Sequence, residues 1–122
     1  MRYVRVYADA AGASHFEDVE VGLAPADFAP PAPPLGVSAP EPASRFLFLS
    51  APPGWAGDWH PVPQRQWMLY LSGQIEVETS DGEVRRFSRG SATLVEDTSG
   101  KGHRSRVVGG DEVLLAVVQL PS

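Results

Sequence analysis

The residues best suited to chemistry are His60, Gln64 and Gln66, in the run GWAGDWHPVPQRQWMLYLSG ending at Gly73, together with His103 after a glycine-rich SGKG. An unperturbed imidazole titrates near pH 6.5, so His60 or His103 can take up and return a proton at neutral pH. A glutamine amide carries both a donor and an acceptor. That suits Gln66 to polarise a carbonyl or stabilise an enolate, and Gln64 to hold a hydroxyl or carbonyl of an organic ligand. The chain has no cysteine, which excludes disulfides, thiolate metal sites and cysteine nucleophiles. SGKG, at Ser99 to Gly102, lacks the full spacing and the following helix of a phosphate loop, and reads as a tight hairpin loop.

These residues must be positioned by strands. MRYVRVYA alternates, as does QIEVE, and period two means strand; RFLFLSA reads as a strand as well. SDG at Ser80 to Gly82 is a hairpin turn, and HRSRVVGGDEVLLAVVQL gives two more strands about a GGD turn. Seven to nine short strands and no helix are expected, which means a sandwich or barrel. On a regular strand His60, Val62, Gln64 and Gln66 share one face, and Trp59 and Trp67 point the other way. Arg104 and Arg106 fall opposite to His103, within reach of Glu76 or Glu78 across the sheet. Seven prolines between Pro25 and Pro42 deny that stretch helix and sheet ladders. An extended arm over residues 25–42 is expected, wrapping the outside and burying Phe28 and Leu35.

The spacing resembles that of the cupins. Their first motif runs Gly, five residues, His-x-His, three or four residues, Glu, six residues, Gly. Here Gly54 stands five residues before His60, and Gln66 stands six before Gly73. Val62 holds the second His position and Gln66 the Glu position. In the second motif Gly90 leads to Glu96 where Pro would stand, a longer DTSGKG follows, then His103, and Val107 holds the Asn position. The resemblance implies a single all-β domain over 1–122, a jelly-roll β-barrel of two packed antiparallel sheets, and a homodimer. It also implies a metal site of His60, Gln66 and His103 for weakly held iron, manganese, nickel or zinc, with Glu96 or Asp97 as a substitute carboxylate if the loop after them folds back.

A small barrel carries one pocket. Its expected wall is His60, Gln66, Met68 and His103, with Phe46 or Phe48, Gln64 and Tyr70 alongside. Three functions are compatible with it. One is metal-free proton transfer by His60, His103 and Gln66, as in an isomerase, cyclase or dehydratase. Another is a metal-dependent cupin oxygenase, and the third a ligand-binding module without turnover. The 122 residues suit one domain, and a net charge of −5 with scattered arginines argues against nucleic acid and anionic membranes as partners. MRYVRVYADA lacks the apolar core of a signal peptide and VLLAVVQL is too short to span a bilayer, so a cytoplasmic protein acting on a small organic molecule is expected.

Overall fold

The computed structural model describes residues 1–122, and every regular element in it is a strand. In chain order they are β1 (Arg2–Ala8), β2 (Ser14–Glu20), β3 (Ala24–Ala26), β4 (Leu35–Val37), β5 (Arg45–Ala51), β6 (Gln66–Ser72), β7 (Gln74–Thr79), β8 (Val84–Ser88), β9 (Ala92–Val95), β10 (His103–Val108) and β11 (Val113–Gln119). They form a six-stranded sheet in the order β2-β1-β9-β6-β11-β5, a three-stranded sheet β10-β7-β8, and a small β3-β4 ladder. No helix is long and apolar enough to cross a membrane.

Period-two alternation builds the core between the two larger sheets. Val6, Tyr70, Val95, Leu115 and Val117 come from the six-stranded sheet, and Ile75, Val77, Phe87 and Val107 from the other. Tyr70 and Phe87 stack across the gap with ring centres 5.6 Å apart. Each such buried side chain contributes about 1.5–3 kcal/mol. On the outer face of the three-stranded sheet Arg104 meets Glu78 at 2.8 Å and Arg106 meets Glu76 at 2.9 Å, the pairing expected from register.

Two expectations need correction. Neither large sheet closes on itself, and the six-stranded sheet is not wholly antiparallel, because β1 runs parallel to β9 with Val4 opposite Thr93. β1 and β9 are joined by no hairpin, so no turn dictates their relative direction. The proline-rich arm does form a ladder, with Ala24 opposite Val37 and Ala26 opposite Leu35. Phe28 is 73% exposed and Leu35 52% exposed, rather than buried. The ladder is three residues long, and Leu35 faces only an alanine, so it offers no apolar surface to cover either side chain. The end of the arm is tied to the outer face of the large sheet, where Trp67 Nε1–H donates to Glu41 Oε1 at 2.5 Å.

Candidate functional site

A cavity of about 320 Å³ opens between the two sheets. His60, Gln66, Met68, Tyr70 and His103 all line it. Alternation along β6 explains three of these, since Gln66, Met68 and Tyr70 share its inner face while Trp67 points out against Tyr3.

His60 is not on a regular strand. Two prolines interrupt the segment, and His60 makes an isolated antiparallel bridge to His103. Each residue's N–H donates to the other's carbonyl at 3.0 Å, and the imidazoles meet edge to face with centres 4.9 Å apart. The loop between Asp97 and His103 makes this possible. Gly102 has φ +76°, and a Cβ there would lie 1.9 Å from the His60 carbonyl oxygen, so only glycine lets the two backbones approach. Gly100, also at φ +76°, packs as tightly on the carbonyl of Gly12 in the β1-β2 turn. Buried Ser14 fastens the assembly, donating from Oγ to the Gly102 carbonyl at 2.7 Å.

The fold-back places Asp97 behind His103. Asp97 is fully buried, and its Oδ2 lies 2.6 Å from His103 Nδ1. Its backbone carbonyl accepts the Val62 N–H at 3.0 Å, which locks the loop to the first motif. The contact engages Nδ1 and leaves Nε2 unpaired with Asp97. His103 itself is 8% exposed, whereas His60 lies at the solvent side of the cavity. Gln66 is oriented by Gln119, whose Nε2–H donates to Gln66 Oε1 at 3.1 Å, so the Gln66 amide N–H groups remain for the cavity. Burial pushes the Tyr70 phenol up to about 12; the Thr93 hydroxyl faces it and pulls the other way, without closing a well-formed hydrogen bond to it. Tyr70 is therefore a neutral donor.

Three pocket expectations differ from the structure. Phe46 and Phe48 lie on the outer face of β5, 59% and 72% exposed, while Leu49 and Ala51 of that strand line the cavity. RFLFLSA is apolar on both faces, so its alternation does not say which face is inner. Gln64 turns away, donating to the Leu120 carbonyl at 2.8 Å and to Ser44 Oγ at 3.2 Å, because the Pro61–Pro63 segment is not a regular strand. Thr93 also lines the cavity; all four residues of ATLV are buried, so the alternation of that strand marks no inner face and gave no signal for it. Trp59 lies outside, with Lys101 and Arg104 over its ring at 4.1 and 4.9 Å. Glu96 serves structure. Burial alone would raise its carboxyl, but Arg5 and Arg65, each at 2.6 Å, hold it below the usual carboxylate range.

The sequence matches no family model and no curated protein at a significant level. Solved structures do match the fold. A cupin domain from Bordetella pertussis Tohama I is 16% identical, with 85% of this chain and 98% of that one aligned at a TM-score of 0.52. A Cupin 2 conserved barrel domain protein from Salinispora arenicola CNS-205 is 17% identical over 82% of this chain and 76% of that one, at 0.51. The Cnp3 cupin domain of Schizosaccharomyces pombe is 16% identical over 89% and 73%, at 0.50. The chain has the cupin fold. Of the four cupin ligand positions two keep imidazole, His60 and His103. At the third, Val62 is buried at 3% exposure and has no donor atom. At the fourth, Gln66 turns its carbonyl oxygen to Gln119. No group of three His, Cys, Asp or Glu side chains in the molecule is arranged to hold a metal ion. This donor set does not fit a tightly held divalent metal, which needs a third anionic or imidazole ligand.

Proposed function

We propose that this cupin binds a small, neutral, largely apolar carbonyl compound and moves a proton on it, in the manner of an isomerase or dehydratase. The observation that carries the reading is the Asp97–His103 pair, held at 2.6 Å beside an apolar cavity. A carboxylate fixing one imidazole nitrogen leaves the other free as a general base. His103 Nε2 takes a proton from the carbon next to the carbonyl, and the C–H electron pair moves into the carbonyl to give an enolate. The Gln66 amide or the Tyr70 phenol donates to that oxygen. In a substrate with a double bond conjugated to the enolate, the imidazolium returns the proton to the far carbon and the double bond shifts; in one with a hydroxyl on the β-carbon, the enolate pair forms the new double bond as the hydroxyl takes the proton and leaves as water. His60, at the solvent side, gives His103 a route for proton exchange with water.

The substrate class follows from the lining. No Lys, Arg, Asp or Glu side chain faces the cavity, so nothing there pairs with a carboxylate or phosphate. The volume lies at the small end of ligand pockets. Phe87, Trp55 and Leu115 supply the apolar wall.

The test reads proton exchange itself, whatever the final product. A panel of neutral enolisable ketones is incubated with the protein in heavy water, and deuterium uptake at the carbon beside the carbonyl is followed by NMR. Uptake in the wild type, reduced at least about 100-fold by His103→Gln and by Asp97→Asn, is expected from the size of general-base contributions. Binding of a ketone without uptake identifies a ligand-binding module instead. Uptake that survives both substitutions removes the pair from any catalytic role.

A further inference from the structure

Exposure marks the two ends of the cavity. Tyr70 and Phe87 are 5% and 4% exposed and form its floor, whereas Trp55 is 40% exposed at the mouth. The three tryptophans differ in how their rings are used. Trp67 packs edge to face on Tyr3 and donates to Glu41. Trp59 lies beneath Lys101 and Arg104. Trp55 has neither a ring nor a cation on its face, and it is the one tryptophan that lines the cavity.

The backbone that carries Trp55 is held in place. Residues 55–60 run antiparallel beside β10. The Val107 N–H donates to the Trp55 carbonyl at 2.8 Å, Ala56 bridges Arg106, the Gly57 N–H donates to the Ser105 carbonyl at 2.9 Å, and His60 bridges His103. Trp55 and Gly57 therefore share the inner face with Ser105 and His103, both of which line the cavity. Gly57 leaves that face bare, and the benzo edge of the indole rests there. A Cβ on Gly57 would stand 2.9 Å from Trp55 Cη2 and 3.3 Å from Cζ2. The ring thus leans along the sheet toward the two imidazoles. From Ser105, beside which the indole edge ends, to His103 is two residues, about 7 Å along a strand. An aryl ring with a short carbonyl side chain spans that gap.

We infer that Trp55 sets the specificity of the site as a platform on which an aromatic ring of the substrate stacks, and that the substrate is a ketone with that ring on the carbon that loses the proton. The inference rests on the proton-transfer reading of His103 and narrows its substrate class. Two observations select a flat, conjugated ligand over a saturated one. The first is the unpartnered indole at the mouth. An aromatic partner there gains about 2- to 12-fold in affinity beyond the area it buries. The second is the charge of the lining. An enolate formed at His103 meets neutral donors, the Gln66 amide and the Tyr70 phenol, and no Lys or Arg side chain. Neutral donors hold an oxyanion less strongly than charged ones. A ring on the carbon that gives up its proton to His103 takes part of the electron pair into its own π system, so the substrate supplies the delocalisation that the lining does not.

The test is a ligand-observed NMR titration of the full chain with β-tetralone and with β-decalone, its saturated analogue, which share a carbon skeleton and a carbonyl. Burial of apolar area alone favours the more apolar decalone, so the order of affinity separates stacking from hydrophobicity. Wild type is expected to bind tetralone at least about 2-fold more tightly, and Trp55→Leu to lose that preference. Gly57→Ala is the second variant. Gly57 does not have a positive φ, so alanine suits its backbone, and the new methyl displaces the indole edge without changing any residue of the cavity lining. The preference is expected to fall there too. Urea unfolding checks that each variant folds. Binding of both ketones without preference, or a preference that survives Trp55→Leu, overturns the inference and leaves the proton-transfer reading standing. Binding of neither ketone overturns both. A preference that depends on Trp55, with no deuterium uptake at the aryl-bearing carbon above the protein-free rate, supports the platform and removes the proton transfer.

Discussion

Replacing Gly102 by alanine tests how the glycine loop builds the site. Two costs add there. A side chain at φ +76° sits in the left-handed region, at about 1–2 kcal/mol for an L-residue. The new Cβ also falls 1.9 Å from the His60 carbonyl oxygen, and 2.1 Å from its carbon. These are backbone atoms, so no side-chain rotation relieves the clash, and the loop must retreat by more than about 1 Å to reach ordinary separation. That breaks the reciprocal 3.0 Å hydrogen bonds between His60 and His103, each worth about 0.5–1.5 kcal/mol net. The expected loss is about 2–5 kcal/mol, a large part of the about 5–15 kcal/mol that holds a small domain together. Urea unfolding followed by tryptophan fluorescence reads it directly. Gly82→Ala is the matched control: its φ is +93°, but a Cβ there meets nothing within 4 Å. It is expected to lose only about 1–2 kcal/mol, the conformational part. If Gly102→Ala costs no more than Gly82→Ala, the close approach does not hold the two histidines together.

Three further outcomes are expected. His15 sits between Asp9 at 2.7 Å and Asp81 at 3.0 Å, joining the β1-β2 and β7-β8 hairpins. The hydrogen bond to Asp9, then that to Asp81, raises the imidazole above its ordinary 6.5 despite partial burial. Its stabilising contribution is therefore full below 6.5 and fades as pH rises through the folded value. Asp9 is lowered chiefly by His15, and Asp81 chiefly by Thr79, from the ordinary 3.8, so their contributions are full above 3.8 and fade as pH falls through the folded values. His15→Asn should accordingly cost most between about pH 4 and pH 6.5 and little at pH 9; a melting-temperature deficit that does not vary with pH refutes the pairing. Thr93→Val removes a buried hydroxyl that makes no well-formed hydrogen bond, so the urea midpoint should hold or rise by the equivalent of about 1 kcal/mol; a clear fall shows that Oγ1 has a partner. Zinc, iron, manganese or nickel at ten-fold excess should leave the melting temperature unchanged, because a ligand that binds only the native state must raise it.

What was legible in the sequence follows from how local each signal is. The β7-β8 hairpin and the Arg104–Glu78 and Arg106–Glu76 pairs rest on a turn and on period-two alternation, both written in neighbouring residues. The inner face of β6 is legible for the same reason. β5 shows the limit of that reasoning, since a strand apolar on both sides has no marked inner face, and Phe46 and Phe48 turn outward. Gln64 shows another limit: with two prolines within three residues the segment is not a regular strand, so the count from His60 that places Val62 and Gln66 at the cavity fails at Gln64. The Asp97–His103 contact lies beyond any local signal. It depends on Gly100 meeting Gly12 and on Gly102 meeting His60, contacts between segments distant in the chain.

The buried polar atoms without partners give an independent argument for where the site lies. Only two side-chain atoms in the molecule are in that condition, Thr93 Oγ1 and Asp97 Oδ1. Orphaned buried groups cost about 1–3 kcal/mol each, and a fold selected only for stability would lose or satisfy them. One belongs to a residue that lines the cavity, and the other to the residue that holds His103 in its wall. The rest of the core is aliphatic and aromatic, or hydrogen-bonded as Ser14 and Thr79 are. The cost is thus concentrated at one place, beside a loop whose glycines exist to bring two backbones closer than side chains permit. A glycine loop that needs a fully buried carboxylate behind an imidazole is poor design for a core. It is what a site requires when a base must face apolar surroundings with a fixed tautomer, and the Asp97→Asn exchange experiment separates those two accounts.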